Sequence, residues 1–178
     1  VAAGGIGEGD IFMKVAVSEE LMRSTSGGFV ASIGSLDIGL PPVAKWAKKD
    51  IREQIVPPVL RGEKIAALAV TEPSGGSDVA NVRTTARRDG DHYVLDGQKT
   101  WTSNGVLADW IFVLARTSPL GEKRQAGISF FLVDLETPGI TRRPIRAMTG
   151  YPTFAEEFFD GVRVPAANVV GGEGEGGG

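Results

Sequence analysis

The sequence predicts an α+β protein in which a helical segment is followed by an antiparallel β-sandwich or barrel. Three observations support this fold class. Apolar residues recur at near-helical spacing up to residue 62, the period changes after Glu63, and short apolar runs separated by turn residues follow. Because no helical segments alternate with the predicted strands, we do not expect a doubly wound parallel sheet.

Four segments of the first 62 residues carry a helical apolar pattern: 13–24, 29–40, 43–47 and 51–56. The second is rich in small residues, so we expect a buried helix that neighbouring elements approach closely. Proline lacks an N–H group, and Pro41-Pro42 should therefore end that helix. Asp50 and Glu53 form a capping-box pattern at the start of the fourth helix, and Pro57-Pro58 should break or kink it.

The predicted strands are the apolar runs after Glu63: 65–70, 84–88, 92–95, 98–101, 109–116, 127–134, 140–145, 155–159 and 162–164. Asp-Gly pairs at 89–90 and 96–97 lie between such runs, which is a strong hairpin signal. The last segment, 171–178, contains only glycine and glutamate and is typical of a linker.

Composition excludes several classes of function. The net charge is −3, and a mildly acidic chain without a basic face is not expected to bind nucleic acid. No apolar run is long enough for a membrane span, and no leader pattern is visible. The chain has no cysteine and a single histidine, so we predict no metal site and no thiol chemistry.

The first candidate site is the segment from Ala69 to Asp78. A buried strand ends at Thr71, and the following loop has two glycines between Ser74 and Ser77. Glycine lets backbone N–H groups approach an anion or a planar ring. The alternative is an ordinary loop in which Ser77 or Asp78 caps a short turn.

The second candidate site is the segment from Lys99 to Gly105. Trp101 offers a flat face to a ring system, and the hydroxyls of Thr102 and Ser103 can donate to ring nitrogens. The alternative is a core tryptophan followed by an ordinary turn.

Weaker candidates have simpler explanations. Gly172-x-Gly174-x-x-Gly177 matches the dinucleotide fingerprint, but no helix is predicted after it. Glu156 and Glu157 are neighbours on a predicted strand and should point to opposite faces, so they are not an acid–base pair.

Two further groups are expected at the surface. His92 lies in a predicted hairpin and should be an exposed edge residue. Arg142, Arg143 and Arg146 form a basic cluster that could meet a phosphate or an acidic partner, although a solvated face is the simpler interpretation.

At the two candidate sites the sequence resembles the acyl-CoA dehydrogenase family. Residues 69–78 fit a signature of that family at every place, and Asn81 departs from its last position. Residues 96–105 are similar to a companion motif, and residues 159–171 to the segment that leaves the family's middle domain. The resemblance covers nearly the whole chain, most specifically residues 62–171.

The family fold comprises an N-terminal helical domain, a middle β-domain and a C-terminal helical bundle. By resemblance, residues 1–64 correspond to the end of the helical domain and residues 65–171 to the middle domain. Residues 172–178 would then lead towards a C-terminal bundle outside this sequence.

The resemblance implies FAD as cofactor and acyl-CoA as substrate. The positions that match the family's flavin contacts are Leu68, Val70, Thr71, Gly76, Ser77, Trp101, Thr102 and Ser103. Trp101 would lie against the ring, and Ser77 would also contact the pantetheine arm of the substrate.

The implied reaction is α,β-dehydrogenation of the thioester, in which the β hydrogen passes as hydride to flavin N5. The family's catalytic base is a glutamate beyond the middle domain. We therefore expect no catalytic residue in this chain, and Glu72 belongs to the flavin-loop signature instead.

The family also implies an electron-transfer flavoprotein as electron acceptor and a homotetramer or homodimer as the assembly. The compartment would be a bacterial cytoplasm or a mitochondrial matrix. Two other functions stay open from the sequence: a flavin-dependent monooxygenase of the same fold, and a non-catalytic β-sandwich binding module.

Overall fold

The computed structural model describes residues 10–34 and 36–176. Its helices come first: α1 Ile11–Met22, α2 Gly27–Gly34, α3 Leu36–Trp46 and α4 Lys49–Leu60. The strands follow: β1 Ala66–Ala69, β2 Thr85–Asp89, β3 His92–Ser103, β4 Trp110–Arg116, β5 Ile128–Asp134, β6 Ile140–Ile145, β7 Phe154–Pro165 and β8 Val169–Val170. The predicted order of helices and then strands is confirmed.

The strands form one eight-stranded sheet with the order β6-β7-β3-β2-β4-β5-β8, and β1 pairs with β4. Most of its pairs are antiparallel, as predicted, whereas β4 runs parallel to β1 and, through the single pair Thr85–Arg116, to β2. Within the described residues, no helix is both long and apolar enough to cross a membrane.

One of the two predicted Asp-Gly hairpins is present. Asp89 pairs with His92 across the turn at Gly90, so β2 and β3 form the expected hairpin. The prediction of a second hairpin at Asp96-Gly97 was wrong, because β3 continues through both residues. Gly97 has a φ of +148° and lies at an irregularity in the β3–β7 pairing, where its missing side chain leaves room for Thr84. Here the glycine serves a bulge rather than a turn.

The prediction that Pro41-Pro42 ends a helix was also wrong, and Pro57-Pro58 does not break the fourth helix. Pro41 and Pro42 lie inside α3, and Pro57 and Pro58 lie inside α4. An interior proline costs a helix about 3 kcal/mol because it removes a hydrogen bond and crowds the preceding turn. Both helices also bury apolar side chains around their prolines, and this tertiary packing outweighs the local cost.

The predicted capping box of the fourth helix does not form. The helix begins two residues earlier than the pattern suggests, with Lys48 at the N-cap and no side-chain cap bond. Asp50 instead lies in the first turn, where a negative charge interacts favourably with the helix dipole.

The two faces of the sheet bury two separate apolar clusters. On one face, side chains of β1, β3, β4, β5 and β7 pack against one another, and Tyr93, Ile111 and Phe131 are among them. The other face of β4 and β5 packs against α3 and α4, through Phe112 and Leu132 among others. Strands β4 and β5 are therefore apolar on both faces, which explains their unbroken hydrophobic sequences.

Helix α3 approaches the sheet at a glycine. A Cβ atom at Gly39 would overlap the ring of Phe112, which is buried and stacks on Phe130 with centroids 5.8 Å apart. The close approach predicted for residues 29–40 is thus present at Gly39. The prediction that these residues form one buried helix was wrong, because α2 ends at Gly34 and the side chains of Phe29, Ile33 and Ile38 are exposed.

The segment after β8 folds back on β5. Gly176 N–H donates to the Ile128 carbonyl at 2.7 Å, and Gly174 N–H donates to Ser129 Oγ at 2.8 Å. The Tyr93 hydroxyl donates to the Glu173 carboxylate at 2.5 Å. Residues 171–176 are therefore held by the sheet at several points.

Gly39→Ala should destabilise the chain by about 2 kcal/mol, because an added methyl group in a packed interface forces the Phe112 ring to move. The measurement is the free energy of unfolding in urea. Gly28→Ala is the matched control, since a Cβ at this helical position has open space and should be neutral or slightly stabilising. Equal effects of the two substitutions would contradict the close α3–β4 contact.

Candidate functional site

The structure brings the two sequence motifs together. The first follows β1, and the second forms the end of β3. Thr100 N–H donates to the Thr71 carbonyl at 2.9 Å, so the backbones of the two motifs are directly hydrogen-bonded. The hydroxyl-rich residues on each side of this bond therefore belong to one site.

The first motif forms a tight loop at the end of β1. Glu72 and Gly75 exchange two backbone hydrogen bonds, each 3.0 Å long. Gly76 lies close to the Thr71 side chain, because a Cβ at Gly76 would be 3.2 Å from Thr71 Cγ2. A Cβ at Gly75 would meet nothing within 4 Å. The loop consequently presents backbone with little side-chain cover.

A buried ion pair connects the loop to β3. The ammonium group of Lys99 is 2.9 Å from Glu72 Oε1 and donates to the Val70 carbonyl at 3.1 Å. Glu72 also accepts the backbone N–H groups of Arg83 and Thr84, at 2.7 and 2.8 Å. Glu72 thus holds the loop in place, and its carboxylate is fully engaged.

The environment keeps Glu72 ionised. Burial alone would raise the pKa of this carboxyl, since the residue is only 5% exposed. The charge of Lys99 and the hydrogen bonds from Lys99 and Thr84 outweigh burial and hold the pKa below its ordinary value. A carboxylate that stays charged and paired is a poor acceptor for a substrate proton.

The second motif contains a β-bulge that exposes Trp101. Between the pairs Lys99–Glu157 and Thr102–Ala155, β3 has one residue more than β7. Trp101 has a φ of +61°, in the left-handed region that a bulky residue rarely adopts. Its side chain is 58% exposed and meets Phe154 edge to face, with ring centroids 5.9 Å apart. The alternative of a core tryptophan was wrong.

Beyond the bulge, Thr102 turns inward. Its hydroxyl donates to Glu157 Oε2 at 2.6 Å, and both residues are buried. The Thr102 hydroxyl is therefore directed at Glu157 rather than at the surface beside Trp101. Ser103, which follows, is half-buried.

In the part of the chain that the structure describes, no cationic group lies at hydrogen-bond distance from the buried Glu157. Burial raises its pKa to about 7, although the Thr102 hydroxyl and the charge of Arg142 act in the opposite direction. Its second oxygen, Oε1, is buried and has no hydrogen-bond partner among residues 10–34 and 36–176.

An apolar groove runs beside the first motif. It has a volume of about 460 Å³ and lies between α3 and the sheet. Leu68 of β1 and Val70 of the first motif form part of its wall, together with Trp46, Leu114 and Phe130. Two of the predicted cofactor contacts therefore face a cavity rather than the interior of the sheet.

Ser77 lies on the exposed outer part of the loop. Next to it, Asp78 forms an ion pair with Arg124 at 2.7 Å and accepts a hydrogen bond from the Asn81 side chain at 2.8 Å. The following 3₁₀ turn, Val79–Asn81, has no side-chain cap bond, so the capping alternative is not observed.

The weaker candidates take structural positions. Glu156 accepts a hydrogen bond from Gln98 at 3.2 Å, whereas its neighbour Glu157 is buried, as their alternation predicts. His92 contacts Asp91 at 2.5 Å in the hairpin and is half-buried rather than exposed. Gly177 of the fingerprint lies outside the described residues.

The interpretation of the basic cluster as a solvated face was wrong for Arg142. Its guanidinium donates to the carbonyls of Val106 and Ala108, both at 3.3 Å, and pairs with Glu136 at 3.0 Å. This arginine therefore fastens the segment after the second motif to β6.

Sequence reasoning missed the parts played by Lys99 and Glu157. For Glu157 a signal was available, because Ala155, Glu157 and Phe159 share the inward face of β7. A glutamate in an otherwise apolar inward series marks a buried polar position. For Lys99 the local pattern carried no such signal, since its partner Glu72 is 27 residues away.

Comparison with known proteins identifies relatives over most of the chain. The middle domain of acyl-CoA dehydrogenases matches residues 67–162. The acyl-CoA dehydrogenase IpdE1 of Mycobacterium tuberculosis is 40% identical over 163 residues, which are 92% of this chain and 42% of that protein. The long-chain specific acyl-CoA dehydrogenase of rat mitochondria is 37% identical over 97% of this chain and 40% of its own length.

Solved structures of acyl-CoA dehydrogenases are also similar to this chain. The crystal structure of acyl-CoA dehydrogenase from Geobacillus kaustophilus superposes with a TM-score of 0.87 and 39% identity over 98% of this chain and 46% of that one. The chain thus spans less than half the length of these relatives.

Lys99→Met should destabilise the chain by about 3 kcal/mol, because it leaves the Glu72 carboxylate buried without its cationic partner. Urea unfolding at pH 7 measures the loss. Lys64→Met is the control, since Lys64 forms a comparably short pair with Asp109 at the surface and its loss should change the unfolding midpoint little. A small loss at Lys99 would show that the loop does not depend on this pair.

Proposed function

Because this chain belongs to the acyl-CoA dehydrogenase family, whose members are flavoprotein oxidoreductases of acyl-CoA metabolism, we propose that it forms the flavin-facing part of an FAD-dependent acyl-CoA dehydrogenase. The observation that carries the proposal is the exposed Trp101, held in a left-handed bulge and hydrogen-bonded through its neighbour Thr100 to the glycine-rich loop. The proposed cofactor contacts are Leu68, Val70, Thr71, Gly76, Ser77, Trp101, Thr102 and Ser103.

The residues present fit a flavin. A three-ring heterocycle needs a flat apolar face, backbone groups for its polar edge and room for close approach. Trp101 supplies the face, and the backbone beyond Val70 supplies donors and acceptors. The glycine loop supplies the room, since a side chain at Gly75 would meet no protein atom within 4 Å.

When bound, FAD supplies a two-electron acceptor for the hydride that leaves the β-carbon of the thioester. The chain's own residues would bind and orient the FAD and the acyl-CoA. Trp101 would cover one face of the ring and exclude water from it. Thr102 would contribute backbone, because its hydroxyl is bonded to Glu157, and Ser103 would contribute a hydroxyl. Ser77, exposed on the loop, would contact the acyl-CoA.

We propose that none of the candidate carboxylates considered from the sequence is the catalytic base. Glu72 is ion-paired and accepts two backbone N–H groups. Glu157 is buried, and Glu156 is bonded to Gln98. A base must reach the proton that it removes, so we assign this role to a residue outside residues 1–178.

The proposed partners follow from the chemistry. Electrons taken from the substrate must leave the protein, and an electron-transfer flavoprotein is the proposed acceptor. The proposed assembly of the whole protein is a homotetramer or homodimer, in a bacterial cytoplasm or a mitochondrial matrix.

Trp101→Ala should weaken FAD binding about tenfold, because it removes a stacking face and the apolar area that the ring would bury. Titration of the chain with FAD, followed by flavin fluorescence, gives the dissociation constants. Phe12→Ala is the control, since Phe12 is an exposed aromatic residue on α1. FAD affinity that is the same in both variants and the unaltered chain would contradict the assignment.

Residues 1–178 alone should not dehydrogenate acyl-CoA substrates, because absence of a positioned base typically costs about 10²–10⁴-fold in rate. An acyl-CoA-dependent dye-reduction assay with excess FAD measures turnover. The positive control is the same assay on a complete relative. Turnover close to that of the relative would show that one of Glu72, Glu156 and Glu157 acts as the base.

A further inference from the structure

The inward face of β7 carries a buried carboxyl that the proposed reaction does not use. Glu157 is fully buried, and its Oε1 atom has no hydrogen-bond partner among the described residues. Burial of a polar atom without a partner costs about 1–3 kcal/mol. An apolar residue at position 157 would avoid this cost, because Ala155 and Phe159, the neighbours on the same face of β7, are apolar.

The two oxygens of Glu157 contact both ends of the segment from Thr102 to Gly105, which follows the exposed Trp101. Oε2 accepts the Thr102 hydroxyl at 2.6 Å, immediately after Trp101. Oε1 lies against Gly105, where it fills the space that a Cβ atom would take. One side chain therefore braces the segment from the bulge to the turn.

The charged groups around Glu157 leave it unpaired. Lys99 is its cross-strand partner in the register, but the Lys99 ammonium is bonded to Glu72 and to the Val70 carbonyl. Arg142 on β6 favours the ionised form, and the adjacent Glu156 disfavours it. The carboxyl is consequently held by geometry around Thr102 and Gly105 rather than by an ion pair.

We propose that Glu157 is a positioning residue, which holds Thr102 and thereby sets the left-handed bulge and the orientation of the exposed Trp101. The consequence for FAD affinity rests on the flavin site proposed above. The left-handed backbone at Trp101 is unfavourable for a bulky residue, so it persists only where neighbouring contacts fix it. The bond to Glu157 is such a contact.

The position of the Trp101 side chain should depend on pH near neutrality. The folded carboxyl releases its proton at about pH 7 instead of its ordinary value of 4.5, so a charge appears beside Thr102 within this range. The folded state holds a proton that the unfolded state has released. Stability relative to a non-titrating variant should therefore be full below pH 4.5 and fall as the pH rises to about 7.

The test compares Glu157→Gln, Glu157→Leu and Thr102→Val by NMR of the 178-residue chain. We expect the Trp101 indole signal to titrate with a midpoint near 7 in the unaltered chain and not to titrate in Glu157→Gln. Glu157→Leu and Thr102→Val should displace the signal in the same direction, and their combination should add little, because each removes the same hydrogen bond. Trp101→Phe assigns the signal.

Glu156→Gln is the matched control, because Glu156 is the neighbouring carboxylate on the opposite face of β7 and bonds to Gln98. It should leave the Trp101 signal in place and still titrating, with a midpoint slightly below that of the unaltered chain, because the Glu156 charge that disfavours ionisation of Glu157 is removed. If Glu157→Leu does not fold, Thr102→Val and Glu157→Gln decide the question. A Trp101 signal that stays in place in Thr102→Val, or that still titrates near pH 7 in Glu157→Gln, would overturn the proposal.

Titration with FAD separates this inference from the proposed function. We expect about tenfold weaker binding in Thr102→Val and little change in Glu157→Gln at pH 6. A displaced Trp101 signal with equal FAD affinity in all variants would support the positioning role and count against the flavin site. Weaker FAD binding with an undisplaced signal would overturn the positioning role and leave the flavin site standing.

Discussion

The buried ion pair between Lys99 and Glu72 is the interaction on which the site depends. It connects the glycine loop after β1 with β3, two segments that share no other ion pair in the described part of the chain. Three further hydrogen-bonding groups converge on it, because Glu72 accepts two backbone N–H groups and Lys99 also donates to the Val70 carbonyl. Separating the loop from the strand would leave these groups buried and unpaired, which is far more costly than the net gain from forming them.

The β-bulge in β3 determines which side chains of this strand are buried and which are exposed. A regular strand would alternate its side chains and place Trp101 and Lys99 on the same face. The extra residue at the bulge breaks this alternation, so Lys99 and Thr102 are both buried while Trp101 is exposed between them. Within four consecutive residues, β3 therefore buries the side chains of Lys99 and Thr102 and exposes the ring of Trp101 at the surface.

The sequence predicted the order of helices and strands because that order depends on apolar periodicity, which is local. It also predicted both site motifs, since their residue types follow one another along the chain. The features that the sequence did not predict depend on tertiary packing. Prolines remain inside α3 because Gly39 and Leu40 pack against the sheet around them, and β3 continues past Gly97 because a bulge in its pairing takes up the glycine. The inward direction of Thr102 could not be predicted, because it requires the bulge to be known first.

Two buried glutamates on neighbouring elements show why residue type alone does not assign a function. Glu72 and Glu157 are similarly inaccessible, yet the pKa of one is lowered and that of the other is raised. The difference lies in their partners: Glu72 has an ammonium group and two N–H donors, whereas Glu157 has one hydroxyl. Near neutral pH the first is a fixed charge that secures the scaffold. The second has a pKa of about 7 and bonds to Thr102, the residue after the exposed Trp101, so the proposed positioning of that side chain would respond to pH in this range.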